Sequence, residues 1–209
     1  MTRVKAILFD VDGVLIRPPY FFSTELEQNG YSKAEKTLNA YYGSDDHLPS
    51  LEGRGSCEEA ITPYLRDFGW QQTPREYLMQ LFAFDARYLD HDFLGIIARL
   101  KANRVICCLA TDQEKLRAHY LLDVMDLGSR FDAHFISCDI GSRKIGNAFW
   151  LHVLDKLTGA PFNFEPQDIA FVDDRHSNVE VALRFGIRAV RFESVRGFNN
   201  DLEAWGLRQ

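Results

Sequence analysis

At 209 residues the chain has room for one domain with an insertion, or for two small domains. A composition of 46% hydrophobic and 26% charged residues is that of a packed globular protein and excludes a disordered one. With 24 Lys plus Arg against 30 Asp plus Glu, the net charge of -6 speaks against a nucleic-acid or anionic-membrane surface. It leaves open a small anionic ligand, because a bound metal can reverse the sign inside a cleft.

In chain order, residues 4–9 form a continuous apolar run apart from Lys5, as expected of a strand covered on both faces. That run stops on Asp10 and Asp12, and Gly13 then turns the chain. Two carboxylates at the end of a buried strand are costly unless a ligand, usually a cation, uses them. Pro18-Pro19 ends any regular element there.

Residues 20–90 carry apolar positions at helical spacing and no convincing strand, which predicts a small helical insertion. Residues 43–49 read as a loop. Ser56 with Glu59, and Thr73-Pro74 with Glu76, mark two helix starts.

From Asp92 onward helices and strands alternate. Helices are predicted over 93–101, 114–125, 147–157 and 177–185, and strands over 104–110, 133–137, 168–172 and 187–191, with a short terminal helix over 198–207. The order implies an α/β fold with a parallel sheet flanked by helices. Of the four cysteines, Cys107 and Cys108 are adjacent on a strand and therefore face opposite ways. No C-x-x-C occurs, so reduced, buried thiols in a cytoplasmic protein are expected. The N-terminal apolar run is too short for a signal peptide or a membrane span.

In such sheets the carboxyl ends of the strands share one edge, where ligands bind. Asp10 and Asp12, Thr111, Lys144, and Asp173 with Asp174 all fall there. Four carboxylates against one lysine call for a divalent cation, and the oxygen-only donor set favours Mg²⁺ over zinc. An EF-hand calcium loop is excluded, because Val14, Ile16 and Pro18 occupy positions that would have to supply ligands.

Asp10-Val11-Asp12-Gly13-Val14-Leu15, Thr111, Lys144 and Asp173-Asp174, in that order, resemble the four motifs of the haloacid dehalogenase-like (HAD) superfamily. The resemblance covers residues 1–16 and about 90–195. It implies a HAD Rossmann-like core over 1–16 and 90–209, with residues 17–89 similar in position and type to a C1-type helical cap. It also implies a Mg²⁺-dependent phosphatase. Asp10 would be the nucleophile that forms an aspartyl-phosphate, and Asp12 the general acid and base. Thr111 would bind a phosphoryl oxygen, and Lys144 would steady the nucleophile and the transferring charge. Asp174 would be the principal acidic metal ligand, with Asp10, Asp173 and the Asp12 carbonyl, while Asn178 closes that loop.

Two departures stand out. Asp112 replaces the common Asn beside the phosphate position, and Ile145 rather than Pro follows the lysine. Arg54, in Gly53-Arg54-Gly55, is a candidate to reach from the insertion toward a substrate. The partner expected is a small phosphorylated metabolite, a sugar phosphate first, with the protein a monomer or homodimer. A phosphoglucomutase-type phosphotransferase, a haloacid dehalogenase and a catalytically silent binding protein remain alternatives. Asp12 counts against the dehalogenase, which needs no acid for a leaving group at that place.

Overall fold

A computed structural model describes residues 3–207. Five parallel strands form one sheet: β1 (Ala6–Phe9), β2 (Ile106–Thr111), β3 (Ala133–Ile136), β4 (Ile169–Asp173) and β5 (Arg188–Arg191), in the spatial order β3-β2-β1-β4-β5. β1 pairs with β2 on one side and β4 on the other, Phe9 standing opposite Leu109 and Val172. The strand order reverses at β1, and the crevice beyond that point is where doubly wound sheets take ligands.

Between β1 and β2 come five helices and then one that returns the chain to the sheet: α1 (Phe22–Gln28), α2 (Ala34–Gly43), α3 (Leu48–Leu51), α4 (Cys57–Asp67), α5 (Pro74–Ala86) and α6 (His91–Ala102). After β2 run α7 (Lys115–His119), a π-turn over Tyr120–Val124, and α8 (Leu127–Arg130). The chain continues through β3, α9 (Ser137–Ile140), α10 (Asn147–Thr158), β4, α11 (His176–Arg184), β5 and α12 (Val195–Ala204).

Strand alternation divides the core into two layers. Ile7, Phe9, Cys107, Leu109 and Val172 pack with Phe93 and Ile97 of α6 and Phe198 and Leu202 of α12. Leu8, Cys108, Ala110 and Phe171 pack on the other face with Phe149, Trp150 and Val153 of α10. The neighbouring cysteines thus lie in different layers, as the strand period requires. All four cysteines are free.

The insertion has its own apolar centre, including Phe22, Leu38, Tyr41, Leu65, Tyr77 and Phe82. Its docking onto the sheet domain includes close backbone approach: a Cβ on Gly53 would sit 2.3 Å from the carbonyl oxygen of Cys138. Among the described residues no helix is long and apolar enough to cross a membrane.

Three local expectations are revised. The loop expected over 43–49 is narrowed to 44–47, since α2 ends at Gly43 and the single turn α3 begins at Leu48, with Pro49 in its first turn. The helix expected over 114–125 is interrupted by the π-turn, leaving α7 only one turn long. The terminal helix starts earlier than expected because Ser194 caps it, accepting from Gly197 N–H at 3.1 Å.

At α5 the Thr73 hydroxyl accepts from Glu76 N–H at 3.2 Å, and the Glu76 carboxylate accepts from Thr73 N–H at 2.8 Å. Both end donors are satisfied reciprocally. Thr73→Ala should therefore lower stability by about 1 kcal/mol, read as a reduced urea midpoint at unchanged slope.

Candidate active site

The carboxyl edge of the sheet brings the expected residues together. Asp10 follows β1, Thr111 ends β2, Asp173 ends β4, and Lys144 lies in the loop before α10. The Lys144 ammonium is 2% exposed and donates to Asp173 at 2.6 Å while pairing with Asp10 at 2.7 Å. Its loop is pinned twice, by Trp150 Nε1–H donating to the Lys144 carbonyl at 2.7 Å and by Lys144 N–H donating to Asp112 at 2.8 Å.

The second of these bonds gives the unusual Asp112 a partner. Its carboxylate serves as the acceptor that ties the β2 end to the lysine loop. Asn178 Nδ2–H donates to both Asp173 oxygens, at 3.2 and 3.0 Å, which fixes that carboxylate from the far side.

Gly13 is required where it stands. Its φ of +81° is in the left-handed region, and a Cβ there would lie 2.5 Å from the Asp174 carboxyl carbon. The missing side chain lets the fourth-strand loop close onto the first. Asp10, Asp173 and Asp174 then bring carboxylate oxygens within 4.8 Å of one another, a donor set suited to a hard divalent cation.

The electrostatics agree with that suitability. Burial pushes the Asp10 carboxyl up to about 8, with Lys144 pulling the other way. Burial also raises Asp112, against Lys144, and raises Asp174, where the neighbouring Asp173 adds to it. Burial alone would lower Lys144, but Asp10, Asp173 and Asp112 outweigh it and hold the ammonium above its usual range. Burial thus opposes full ionisation of the acids at this edge, and a bound cation would favour their charged forms.

Asp12 is built differently. Its side chain is 55% exposed and is held by two donors, Gln113 Nε2–H at 2.8 Å and Arg117 Nη2–H at 3.4 Å. Gln113 also donates to Thr111 Oγ1 at 3.0 Å. Thr111 does not cap α7; Glu114 does, accepting from Leu116 and Arg117 N–H.

These groups line a cavity of about 830 Å³ between the sheet edge and the insertion. The insertion contributes Phe22, Tyr41, Tyr42, Tyr77 and Phe82, together with Asp85.

Arg54 is not on the cavity wall and corrects the expectation made for it. It pairs with Glu52, two residues away, and its side chain is 72% exposed. The arginine that does line the cavity near that loop is Arg143, whose Nε lies 3.8 Å from the same Glu52.

Gln113, Arg117, Asp85 and Arg143 were not picked out by sequence reasoning. Arg143 stood beside the chosen lysine, and Gln113 was legible only as the residue after Thr111-Asp112. Asp85 and Arg117 carried no spacing signal, because their partnership crosses from insertion to core.

The fold and this edge define a HAD-type hydrolase site. A family model for haloacid dehalogenase-like hydrolases matches residues 4–186, and the chain belongs to that family. It is 33% identical over 221 residues to flavin mononucleotide hydrolase 1 of Arabidopsis thaliana, covering 98% of this chain and 79% of that protein.

Among solved structures, a HAD-like family hydrolase of Porphyromonas gingivalis superposes with a TM-score of 0.73 at 21% identity, covering 100% of both chains. A HAD family enzyme of Bacteroides thetaiotaomicron, crystallised with magnesium and inorganic phosphate, gives 0.70 at 15% identity over 92% of this chain and 96% of that one. The L-2-haloacid dehalogenase of Xanthobacter autotrophicus gives 0.64 at 18% identity, over 99% and 85%.

Gly13→Ala tests the close approach of the two loops. The variant should lose more than about 1 kcal/mol in a urea titration, since both the backbone and the contact oppose it. It should also bind Mg²⁺ more weakly than the parent in isothermal titration.

Proposed function

We propose that the protein is a Mg²⁺-dependent phosphomonoester hydrolase that works through an aspartyl-phosphate on Asp10. The observation that carries the reading is Lys144, held between Asp10 and Asp173 beside further acids, with the half-exposed Asp12 side chain lining the cavity. Asp10, Asp173, Asp174 and the Asp12 carbonyl would hold the metal. It supplies charge neutralisation for the phosphoryl oxygens and the nucleophile.

In this reading Asp10 attacks phosphorus, and Asp12 gives a proton to the departing alcohol and later takes one from water. Lys144 keeps Asp10 oriented and offsets charge as it builds on the phosphoryl group. Thr111 donates its hydroxyl to a phosphoryl oxygen, and Asn178 holds Asp173. Residues 17–89 act as a cap over the core formed by 1–16 and 90–209, excluding water other than the reacting molecule.

A small phosphorylated metabolite suits the cavity, and its aromatic wall accommodates a flat or polyhydroxylated leaving group. Flavin mononucleotide, named for the relative from Arabidopsis thaliana, heads the substrate panel, with sugar phosphates next. That relative's name favours hydrolysis over phosphoryl transfer between hydroxyls.

Protein supplied with Mg²⁺ should release inorganic phosphate from members of this panel, and EDTA should suppress the release. Asp10→Asn should reduce it by about 10⁴-fold or more. Absence of metal-dependent phosphate from every ester would refute the reading, and phosphate migration without release would replace it by a mutase.

Asp112→Asn gives a separate check. An amide oxygen can still accept from Lys144 N–H, while one buried negative charge beside the phosphate position disappears. Inorganic phosphate should then inhibit more strongly, with phosphatase activity retained.

A further inference from the structure

We infer that Asp85 and Arg117 are positioning residues for the Asp12 carboxylate, so that the seating of the helical insertion sets the placement of the proton carrier. The inference rests on the proposed phosphatase reading, in which Asp12 protonates the leaving oxygen.

Asp12 cannot be placed by packing. Its side chain is 55% exposed, against 8% for Asp10. Its orientation depends on its two donors. Gln113 is anchored within the core by Thr111 and by its own N–H to Ser137 Oγ at 3.0 Å. The other donor, Arg117, is anchored by the insertion. The same Nη2 that reaches Asp12 lies 3.0 Å from the Asp85 carboxylate, and the guanidinium carbon stands 4.9 Å over the Phe82 ring.

Phe82 and Asp85 are three apart on α5 and so share one helical face. A single surface of the insertion thus supplies both the counter-ion and the platform for Arg117.

Arg117 is 4% exposed, and its Nη1 is buried with no hydrogen-bond partner. Here the fork is turned so that one nitrogen spans two carboxylates, one from each side of the cavity.

The step affected is the first half of the reaction. A bond forms between Asp10 oxygen and phosphorus, the ester P–O bond breaks, and the leaving oxygen takes its proton from Asp12. An alkyl leaving group needs that proton, whereas p-nitrophenolate departs with little help. The ratio of kcat/KM for an alkyl phosphate to that for p-nitrophenyl phosphate therefore reports Asp12 placement. A general loss of packing would lower both terms together.

The test measures this ratio with Mg²⁺ for the parent, Asp85→Ala, Arg117→Met and the double variant. Melting temperature and inhibition by inorganic phosphate serve as controls for fold and phosphate site. The ratio should fall about tenfold in each single variant, a part of the hundredfold or more that a placed general acid contributes, and no further in the double variant. If Arg117→Met does not fold, with Asp85 left buried and unpaired, Asp85→Ala carries the test alone. Active parent protein with unmoved ratios, or equal losses on both esters, overturns the inference and leaves the phosphatase reading standing. A parent inactive on both esters overturns the two together.

Discussion

An ammonium at 2% exposure has almost no water to solvate it, so the Lys144 charge persists only because carboxylates stand on two sides of it. Removing either acid would leave a buried charge short of compensation, and removing the lysine would leave two acids facing each other. The surrounding scaffold serves this contact. Trp150 packs on Phe171 at 4.8 Å and holds the lysine carbonyl, Asn178 braces Asp173, and Asp112 takes the lysine N–H. The layer packed against α10 feeds into it, since α10 carries Trp150, and β4 carries Asp173.

The alternating half of the chain was legible because its signals are local. Apolar runs ending on polar residues place strand ends, and strand ends in a parallel sheet converge. That is why Asp10, Asp12, Thr111, Lys144, Asp173 and Asp174 could be grouped from order alone, with Asn178 added only by the family resemblance, and the structure puts them on one edge. Boundaries drifted where a cap or a tertiary bond decides them. Val4 N–H, for example, donates to the Trp205 carbonyl instead of entering the ladder, so β1 begins at Ala6.

The insertion was legible as helices and opaque as a surface. Its apolar residues have helical spacing, but which of them face the cavity depends on how α5 and α3 dock. Arg54 illustrates the limit. Its flanking glycines suggested reach, yet Gly53 is glycine because the backbone of Cys138 leaves no room for a Cβ. The loop's cation is claimed by Glu52, and the core's Arg143 stands where Arg54 had been expected. Asp85 and Arg117 were invisible for the complementary reason: each is unremarkable within its own helix, and they meet only across the domain boundary.

The raised carboxyls at the sheet edge have a consequence for folding itself. Burial pushes the Asp10 carboxyl up from its ordinary 3.8 to about 8 in the native chain. Asp112 and Asp174 move in the same direction. Between those two pH values the native state binds more protons at Asp10 than the unfolded state does, so folding takes up protons there. For these acids stability is greatest at low pH and declines as pH rises through the native value. A cation bound to the same oxygens competes for the sites that those protons occupy. Proton uptake and folding thus form one linked equilibrium, drawn through a handful of oxygens at the end of the first strand, which a bound cation would join.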